Sequence, residues 1–243
     1  IEAFEKRGVE FVHLLNGMFA IAIYDMQEHK LYLFRDRLGV KPLYYYNDPQ
    51  NLAFASEIKA LLQADAIGKE AKPDPKTIYS FLYSGYVPEP FTAFTNILRL
   101  PAGSYAVADK TGITITSYWK PEDKVTTQVV SDFTTAKQQL KDLLVSSVKY
   151  RMIADVPFGT FLSGGIDSST VTAVAQSISA KPVKTFSIGF KESKFNESKY
   201  ACQVSEHLGT EHYEFVVTEK DAMELMDRML NEYDDLYSES SGI

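Results

Sequence analysis

A seven-residue stretch of small and hydroxyl-bearing residues constrains the fold of this chain more than any other feature. It reads Ser-Gly-Gly-Ile-Asp-Ser-Ser over residues 163–169. The apolar, β-rich run at residues 156–162 precedes it, and an amphipathic run follows in which Val171, Val174 and Ala175 share one helical face. The pattern predicts a strand, a glycine turn and a helix in that order, as in parallel sheets crossed by helices.

The glycine turn is suited to binding a phosphate group. Backbone N–H groups at the start of a helix have no intrahelical partners, and Gly164 and Gly165 let the backbone approach a phosphate without a Cβ clash. An acid would repel the phosphate unless a cation lay between them, so we interpret Asp167 as a Mg²⁺ ligand shared with pyrophosphate oxygens. The alternative is a helix-capping turn with an acid at the helix start. The hydroxyls that could also donate are those of Ser163, Ser168 and Ser169.

Residues 163–169 resemble the pyrophosphate loop of the ATP-pyrophosphatase superfamily, whose members cleave ATP between the α- and β-phosphates. Three further stretches resemble glutamine-hydrolysing asparagine synthetases: RDRLGVKPLYY at 35–45, FASEIKAL at 54–61 and GYVP at 85–88. Together these motifs follow the family's order nearly from end to end. Several motifs in order are more specific than one short loop.

The resemblance implies an ATP site with Mg²⁺ at the loop. Leu162 and Ile188 occupy positions that flank the adenosine in such enzymes, although ordinary core packing is the alternative for both. The implied ATP-binding set is Leu162, Ser163, Gly164, Gly165, Ile166, Asp167, Ser168, Ser169 and Ile188, with Asp167 also the implied metal ligand.

The implied reaction is that of a ligase forming C–N bonds. ATP would activate the side-chain carboxylate of aspartate as an AMP anhydride, and ammonia derived from glutamine would displace AMP to give asparagine. The implied partners are therefore aspartate, glutamine or ammonia, and ATP, and a homodimer is compatible with the family. Two alternatives stay open: a related amidotransferase or β-lactam synthetase acting on another carboxylate, and a non-catalytic nucleotide-binding fragment.

The resemblance implies α+β and α/β parts in sequence. Residues 1–121 are expected to form the C-terminal portion of a glutamine amidotransferase domain, a partial N-terminal-nucleophile αββα sandwich. Residues 122–133 are polar and are expected to be a linker. Residues 134–243 are expected to form the first part of an asparagine synthetase domain, a partial doubly wound parallel sheet of the adenine nucleotide α-hydrolase type.

Residue patterns predict individual elements within these parts. Alternating apolar strands around short polar turns predict hairpins at 18–34, 44–55 and 105–118. Helical spacing predicts helices at 1–15, with an interruption near Gly8, and at 77–84 and 134–151. Residues 69–105 otherwise appear as connecting structure, and buried strands are predicted at 184–190 and 212–217.

Composition excludes several classes of partner. The formal net charge of −7 argues against a nucleic-acid backbone as ligand. Apolar runs stay short of the ~18 residues of a membrane span, so no membrane association is expected. The single cysteine, Cys202, excludes an internal disulfide framework and favours a reducing cytoplasm.

Glutamine hydrolysis in this family needs a thiol and a free α-amine on one residue, but residue 1 is Ile. Cys202 lies in a helical stretch and is expected to be a small buried apolar residue. We therefore assign no residue of this chain to glutamine hydrolysis. Since both ends look cut, we expect an internal fragment with little or no synthetic activity of its own.

Two charged segments have open interpretations. The alternating charges at residues 35–41 predict an ion-paired structural loop, with Arg35 or Arg37 binding a substrate carboxylate as the alternative. Residues 234–241 resemble the family's acidic segment D-E-P-x-x-D-S-S but carry Asp235, Leu236 and Glu239 where Glu, Pro and Asp are usual. A substrate- or metal-binding segment and a surface acidic turn are both compatible with this pattern.

Overall fold

The computed structural model describes residues 1–125, 129–190 and 197–236. The chain divides into two compact units, one formed by Ile1–Val125 with Arg228–Ile243 and the other by Thr126–Asp227. Both units combine helices with β-sheet, so the protein is of mixed α/β class. Within the described ranges, every helix falls short of the length and apolar character needed to span a membrane.

The elements of the chain up to residue 125 are α1 (Glu2–Arg7), a 3₁₀ helix (Gly8–Leu14), β1 (Ala20–Asp25), β2 (Lys30–Arg35), β3 (Tyr44–Asn47), β4 (Leu52–Ala55), α2 (Ile58–Leu62), α3 (Asp65–Gly68), α4 (Pro75–Ser84), β5 (Ile97–Arg99), β6 (Ser104–Asp109), β7 (Gly112–Ser117) and a second 3₁₀ helix (Pro121–Lys124). The chain continues with α5 (Phe133–Arg151), β8 (Gly159–Phe161), α6 (Ile166–Ile178), β9 (Lys184–Phe190), α7 (Ser198–Leu208), β10 (Glu211–Val217) and α8 (Glu219–Glu232).

The three predicted hairpins are confirmed, and each is closed by an aspartate. Asp25 accepts the N–H groups of Gln27 and Glu28 after β1, at 2.8 and 3.0 Å. Asp48, directly after β3, and Asp109, the last residue of β6, accept backbone N–H groups of the following turn in the same way. The turn is thus held by a local side-chain bond, which explains why sequence alone located it.

The first unit is built in four layers. One sheet has the order β1-β2-β6-β7 and the other β4-β3-β5, and all neighbours are antiparallel. Period-two alternation divides the core: Leu33 and Tyr45 pack in the cluster between the sheets. Their neighbours Phe34 and Tyr46 pack outwards, Phe34 against the N-terminal helical segment and Tyr46 against α2 and α3.

Strand β5 was not predicted, because residues 69–105 were expected to be connecting structure apart from one helix. It has only three residues and pairs with β3, placing Arg99 opposite Tyr44. Three residues are too few to show strand periodicity, so only the pairing with β3 identifies this segment as a strand. Helix α4 matches the prediction and begins at Pro75, after the N-cap residue Asp74, whose side chain accepts the N–H of Lys76.

The second unit contains a parallel sheet with the order β10-β9-β8. Strands β9 and β10 occupy the predicted positions, whereas β8 covers only Gly159–Phe161 of the predicted run at 156–162. Helix α5 confirms the prediction at 134–151 and packs against α6 through a cluster that contains Val148 and Ala175. The loop at residues 163–169 follows the C-terminal end of β8.

Candidate functional site

The loop at residues 163–169 joins the end of β8 to the start of α6. Leu162, the last residue before the loop, donates its N–H to the carbonyl of Phe186 at 2.8 Å, which continues the pairing with β9. Its side chain is 1% exposed and lies in the core. Helix α6 starts at Ile166 after Gly165, and no side chain caps it. Strand, turn and helix therefore follow in the predicted order.

Gly164 is required at its position for two reasons. Its φ is +81°, in the left-handed region that L side chains rarely adopt. A Cβ built there would lie 2.4 Å from Tyr200 Cβ and 2.7 Å from the Tyr200 carbonyl carbon, both in α7. The loop thus packs directly against the first turn of α7. Sequence reasoning missed this contact, because nothing near Gly164 in sequence signals a helix that starts at Ser198.

Gly165 has a different environment. Its φ is −71°, and a Cβ there would meet only Ser163 Oγ, at 3.3 Å. Its N–H donates to that same hydroxyl at 3.3 Å. The two glycines of the motif therefore have separate roles: Gly164 permits the close approach of α7, and Gly165 leaves the end of α6 open.

The loop hydroxyls bond mainly to the loop itself. Ser163 and Ser168 lie with their Oγ atoms 3.0 Å apart, and the Ser163 N–H donates to Ser168 Oγ at 3.2 Å. Ser168 Oγ also donates to the carbonyl of Gly165 at 3.3 Å. These bonds shape the turn, and because they lie at the exposed surface they can be exchanged for bonds to a ligand.

Two polar groups of the loop have no partner among the described residues. Ser169 Oγ is buried and makes no hydrogen bond. Asp167 is exposed, and its carboxylate forms no hydrogen bond or ion pair within the described ranges. A buried hydroxyl without a partner is uncommon in native structures and calls for a ligand or water. With the uncapped N–H groups of α6, these atoms fit a phosphate bridged to a divalent cation, with Asp167 as the metal ligand.

A groove of about 430 Å³ lies beside the loop. Asp167 and Ser168 line one side, and Phe161 and Arg151 contribute an aromatic ring and a cation. Arg151 ends α5 and donates to the Ser147 carbonyl and hydroxyl. Arg151 was not among the predicted site residues, since α5 precedes the motif and only the fold brings it there. A larger groove, of about 720 Å³, lies in the first unit.

Ile188 points away from the helices that cover the sheet. On β9, Thr185 and Ser187 are buried, whereas Ile188 is 45% exposed. Its register partner on β10 is Phe215, which is also exposed. The open side chain is compatible with an apolar ligand wall. The structure thus distinguishes the two predicted flanking residues: Leu162 is buried and Ile188 is accessible.

The charged loop at residues 35–41 has the structural role that its sequence favoured. Arg35 is 5% exposed, and its Nη1 lies 2.6 Å from both Glu89 Oε1 and the Leu100 carbonyl oxygen. Burial would raise the pKa of Asp36, but backbone N–H bonds, led by that of Lys41, outweigh it and lower the pKa. Burial also raises the pKa of Tyr118, whose hydroxyl donates to the Arg35 carbonyl, to about 12. Arg35 has no free face for a substrate.

Two other predicted residues are placed as follows. Cys202 lies on α7 but is exposed, so the expectation of a buried apolar residue is wrong. A hydrogen bond to Glu206 raises the pKa of its thiol. Asp234 and Asp235 are ion-paired inside the first unit. Glu239 lies outside the described residues.

Comparisons with known proteins match two separate ranges of the chain to two family models. A family model described as asparagine synthase matches residues 139–243, and one described as glutamine amidotransferase domain matches residues 1–119. The two matches leave only residues 120–138 between them, and this stretch contains the whole predicted linker.

Curated relatives match across both parts. The putative asparagine synthetase [glutamine-hydrolyzing] 2 of Methanocaldococcus jannaschii is 35% identical over 100% of this chain and 47% of its own length. Asparagine synthetase [glutamine-hydrolyzing] 1 of Bacillus subtilis is 32% identical over 94% of the chain and 35% of its own length. Asparagine synthetase B [glutamine-hydrolyzing] of Escherichia coli is 32% identical over 91% and 36%, respectively. The chain thus spans about half the length of the first relative and about a third of the other two. It belongs to the asparagine synthetase family.

Proposed function

We propose that this chain carries the ATP-binding loop of a glutamine-dependent asparagine synthetase. Such a ligase adenylates aspartate and amidates it with ammonia, giving asparagine, AMP and pyrophosphate. The observation that supports this most strongly is the loop at residues 163–169, where the buried hydroxyl of Ser169 and the carboxylate of Asp167 have no partner among the residues that the structure describes. The relatives described above are all named asparagine synthetases, which favours aspartate over other carboxylates.

The proposed domains follow the predicted boundaries. Residues 1–121 would be part of an N-terminal-nucleophile amidotransferase domain, for which the four layers and two antiparallel sheets give support. Residues 122–133 would be the linker. Residues 134–243 would be part of a doubly wound synthetase domain, supported by the parallel order β10-β9-β8 and the helices between these strands.

Each loop residue has a proposed role in holding ATP. The N–H groups at the start of α6 and the hydroxyls of Ser163, Ser168 and Ser169 would donate to pyrophosphate oxygens. Asp167 would bind Mg²⁺, which when bound neutralises charge that develops on the pyrophosphate leaving group. Ile188 would contact the adenosine through its open face. Leu162 and Ile166 complete the predicted set. Leu162 would support the loop by packing in the core and would not contact ATP directly.

This arrangement would assist the reaction by stabilising the leaving group. A carboxylate resists attack by amines, whereas its anhydride with AMP reacts readily. The aspartate carboxylate attacks the α-phosphorus, the bond to the β-phosphate oxygen breaks, and the loop donors stabilise the negative charge on departing pyrophosphate. Ammonia, supplied from glutamine, then displaces AMP. We assign no residue of this chain to the glutamine-hydrolysing step.

Binding of ATP to the purified chain, measured with and without MgCl₂, tests the proposal. Asp167→Asn should weaken MgATP binding about tenfold, ~1.4 kcal/mol, and remove most of its dependence on Mg²⁺. Ser169→Ala should weaken it by about fivefold, ~1 kcal/mol, the typical net contribution of one hydrogen bond.

Ser177→Ala is the matched control, because Ser177 lies on the same helix and donates only to the Val174 carbonyl. It should bind MgATP as the unmodified chain does. Unaltered binding by Asp167→Asn would contradict the assignment of the metal ligand. No Mg²⁺-dependent binding by the unmodified, folded chain would contradict the proposed function.

A further inference from the structure

The two aspartates that follow α8 have side chains largely shielded from solvent within the first unit. The side chain of Asp234 is 10% exposed and that of Asp235 is 11% exposed. Their segment resembles an acidic family motif, for which a metal or substrate role was one interpretation. Carboxylates this deeply buried are stable only when paired and hydrogen-bonded, so their partners indicate what they do.

Asp234 caps helix α2 from a distance of 175 residues along the chain. Its Oδ2 accepts the N–H of Lys59, the second residue of α2, at 3.0 Å, and Oδ1 lies 3.5 Å from Lys59 Nζ. Glu57, which occupies the N-cap position itself, makes no side-chain capping bond. Asp234 therefore supplies the acceptor that Glu57 does not, at the helix end where a negative charge is favourable.

Asp235 joins two other segments of the first unit. Its Oδ1 accepts the N–H groups of Ala93 and Leu236, at 3.0 and 2.9 Å. Its Oδ2 lies 3.0 Å from Arg99 Nη2 on β5. The Arg99 guanidinium also lies over the ring of Tyr44, 5.6 Å from its centroid. The short strand β5 is thus held on both sides, by pairing with β3 and by this ion pair.

All four carboxylate oxygens of the pair have donors from the protein. A cation bound here would have to displace three backbone N–H groups and two positively charged side chains. Divalent cations prefer carboxylate oxygens that are free or shared with water. By contrast, the carboxylate of Asp167 on the loop has no partner among the described residues.

We propose that Asp234 and Asp235 form an anchor that fixes the end of α8 onto α2 and β5. Both residues belong to the range matched by the asparagine synthase model, whereas Lys59, Ala93 and Arg99 belong to the range matched by the amidotransferase model. Asp234 and Asp235 therefore bond to residues that lie in the range of a different family model from their own. It acts as a positioning device and not as a metal or substrate ligand, and the proposal does not depend on ATP binding.

Amide hydrogen exchange of the full chain, resolved by residue, tests the anchor. Asp234→Ala should speed exchange of the Lys59 amide about tenfold and leave Ala93 unchanged, because each amide bonds to one aspartate. Asp235→Ala should do the reverse. Asp235→Asn keeps an oxygen for the Ala93 N–H but loses the charge paired with Arg99, so it should leave Ala93 better protected than Asp235→Ala does.

A second readout covers variants that fold poorly. Asp235→Asn and Arg99→Met should each speed chymotryptic cleavage after Tyr233, and the double variant should be no faster than either single one, since both remove the same ion pair. Asp65→Asn is the matched control, because Asp65 is an exposed acid of the same unit that pairs only with Lys69. It should change neither readout.

Addition of MgCl₂ to the unmodified chain separates the anchor from a metal site. Exchange of the Lys59 and Ala93 amides should not respond to Mg²⁺. A Mg²⁺ response that Asp235→Asn abolishes would overturn the proposal. So would Lys59 and Ala93 amides that exchange at the unmodified rate in Asp234→Ala and Asp235→Ala.

Discussion

Two polar loops of this protein, at residues 35–41 and 163–169, differ in where their hydrogen bonds go. In the first, Arg35 and Asp36 are almost fully buried, and every charge on them is met by protein donors or acceptors. In the second, the hydroxyls of Ser163 and Ser168 bond to each other, while Asp167 and Ser169 have no partner among the described residues.

The difference separates a structural loop from a binding loop. A buried network stabilises the fold only if every member is satisfied, since an orphaned polar group costs about 1–3 kcal/mol. A ligand site has the opposite requirement, because donors already bonded within the protein have little to offer a ligand. Both loops are rich in polar residues, so composition alone does not distinguish them. Four substitutions test the contrast.

Arg35→Met should have the largest effect on stability. It leaves the Glu89 carboxylate and the carbonyls of Gly39, Lys41 and Leu100 without their donor. The side chain of Glu89 is 33% exposed, so the ion pair is partly buried; its loss together with that of three carbonyl partners should cost about 3–5 kcal/mol. Urea unfolding followed by the fluorescence of Trp119, the single tryptophan, should report this loss.

The control for this substitution is Arg37→Met. Arg37 lies in the same loop but makes only a 3.5 Å contact with the His13 carbonyl. It should cost less than about 1 kcal/mol. Equal losses for the two arginines would mean that the network around Arg35 is not what stabilises this loop.

Gly164→Ala should follow, with a loss of about 2–4 kcal/mol from left-handed strain and overpacking. Its Cβ would meet Tyr200 of α7 at 2.4 Å, so loop and helix must separate. Gly165→Ala, with ordinary φ and one contact at 3.3 Å, should cost less than about 1 kcal/mol. Thermal unfolding by circular dichroism and MgATP binding should both rank the two variants this way. A better-tolerated Gly164→Ala would count against close packing on α7.

Asp36→Asn should cost about 2–3 kcal/mol at neutral pH, because one amide oxygen replaces two carboxylate oxygens that serve several N–H groups. The folded state lowers the pKa of Asp36 below its ordinary value of 3.8. The stability that Asp36 contributes is therefore present above that value and is lost as pH falls through the folded-state pKa.

Urea midpoints measured from neutral pH down to acid should thus fall less steeply for Asp36→Asn than for the unmodified chain. Asp109→Asn, which alters an exposed hairpin turn, is the control and should keep most of the unmodified stability at neutral pH. Parallel acid profiles for Asp36→Asn and the unmodified chain would show that Asp36 does not retain its charge on folding.

Ser168→Ala should have the smallest effect on stability, about 1 kcal/mol, since its three contacts are long and exposed. Its effect on MgATP binding should be larger than its effect on unfolding, which is the mark of a binding loop. Thr170→Ala, whose hydroxyl donates to the Ile166 carbonyl, is the control and should bind MgATP normally. A larger effect on unfolding than on MgATP binding would mean that Ser168 has a structural role.

The sequence predicted most elements whose signals are local. The three hairpins were located from apolar strands around short polar turns, and α4 and α5 from helical spacing. The candidate loop was predicted residue by residue for the same reason, since its glycines and hydroxyls are contiguous. Strand β5 was missed because three residues are too few to show strand periodicity. Cys202 was wrongly expected to be buried, because a helical sequence does not reveal which face of the helix is covered.

By itself, then, the sequence determined the strand, glycine turn and helix of the candidate site and the charged loop at residues 35–41. The tertiary structure decided which polar groups are already satisfied. It brought Arg151 beside the loop, set α7 against Gly164, buried Leu162 while leaving Ile188 open, and paired Asp235 with Arg99. These contacts join residues far apart in the chain. Whether a polar side chain is buried and already hydrogen-bonded, and not its residue type, distinguishes a structural group from one that can bind a ligand.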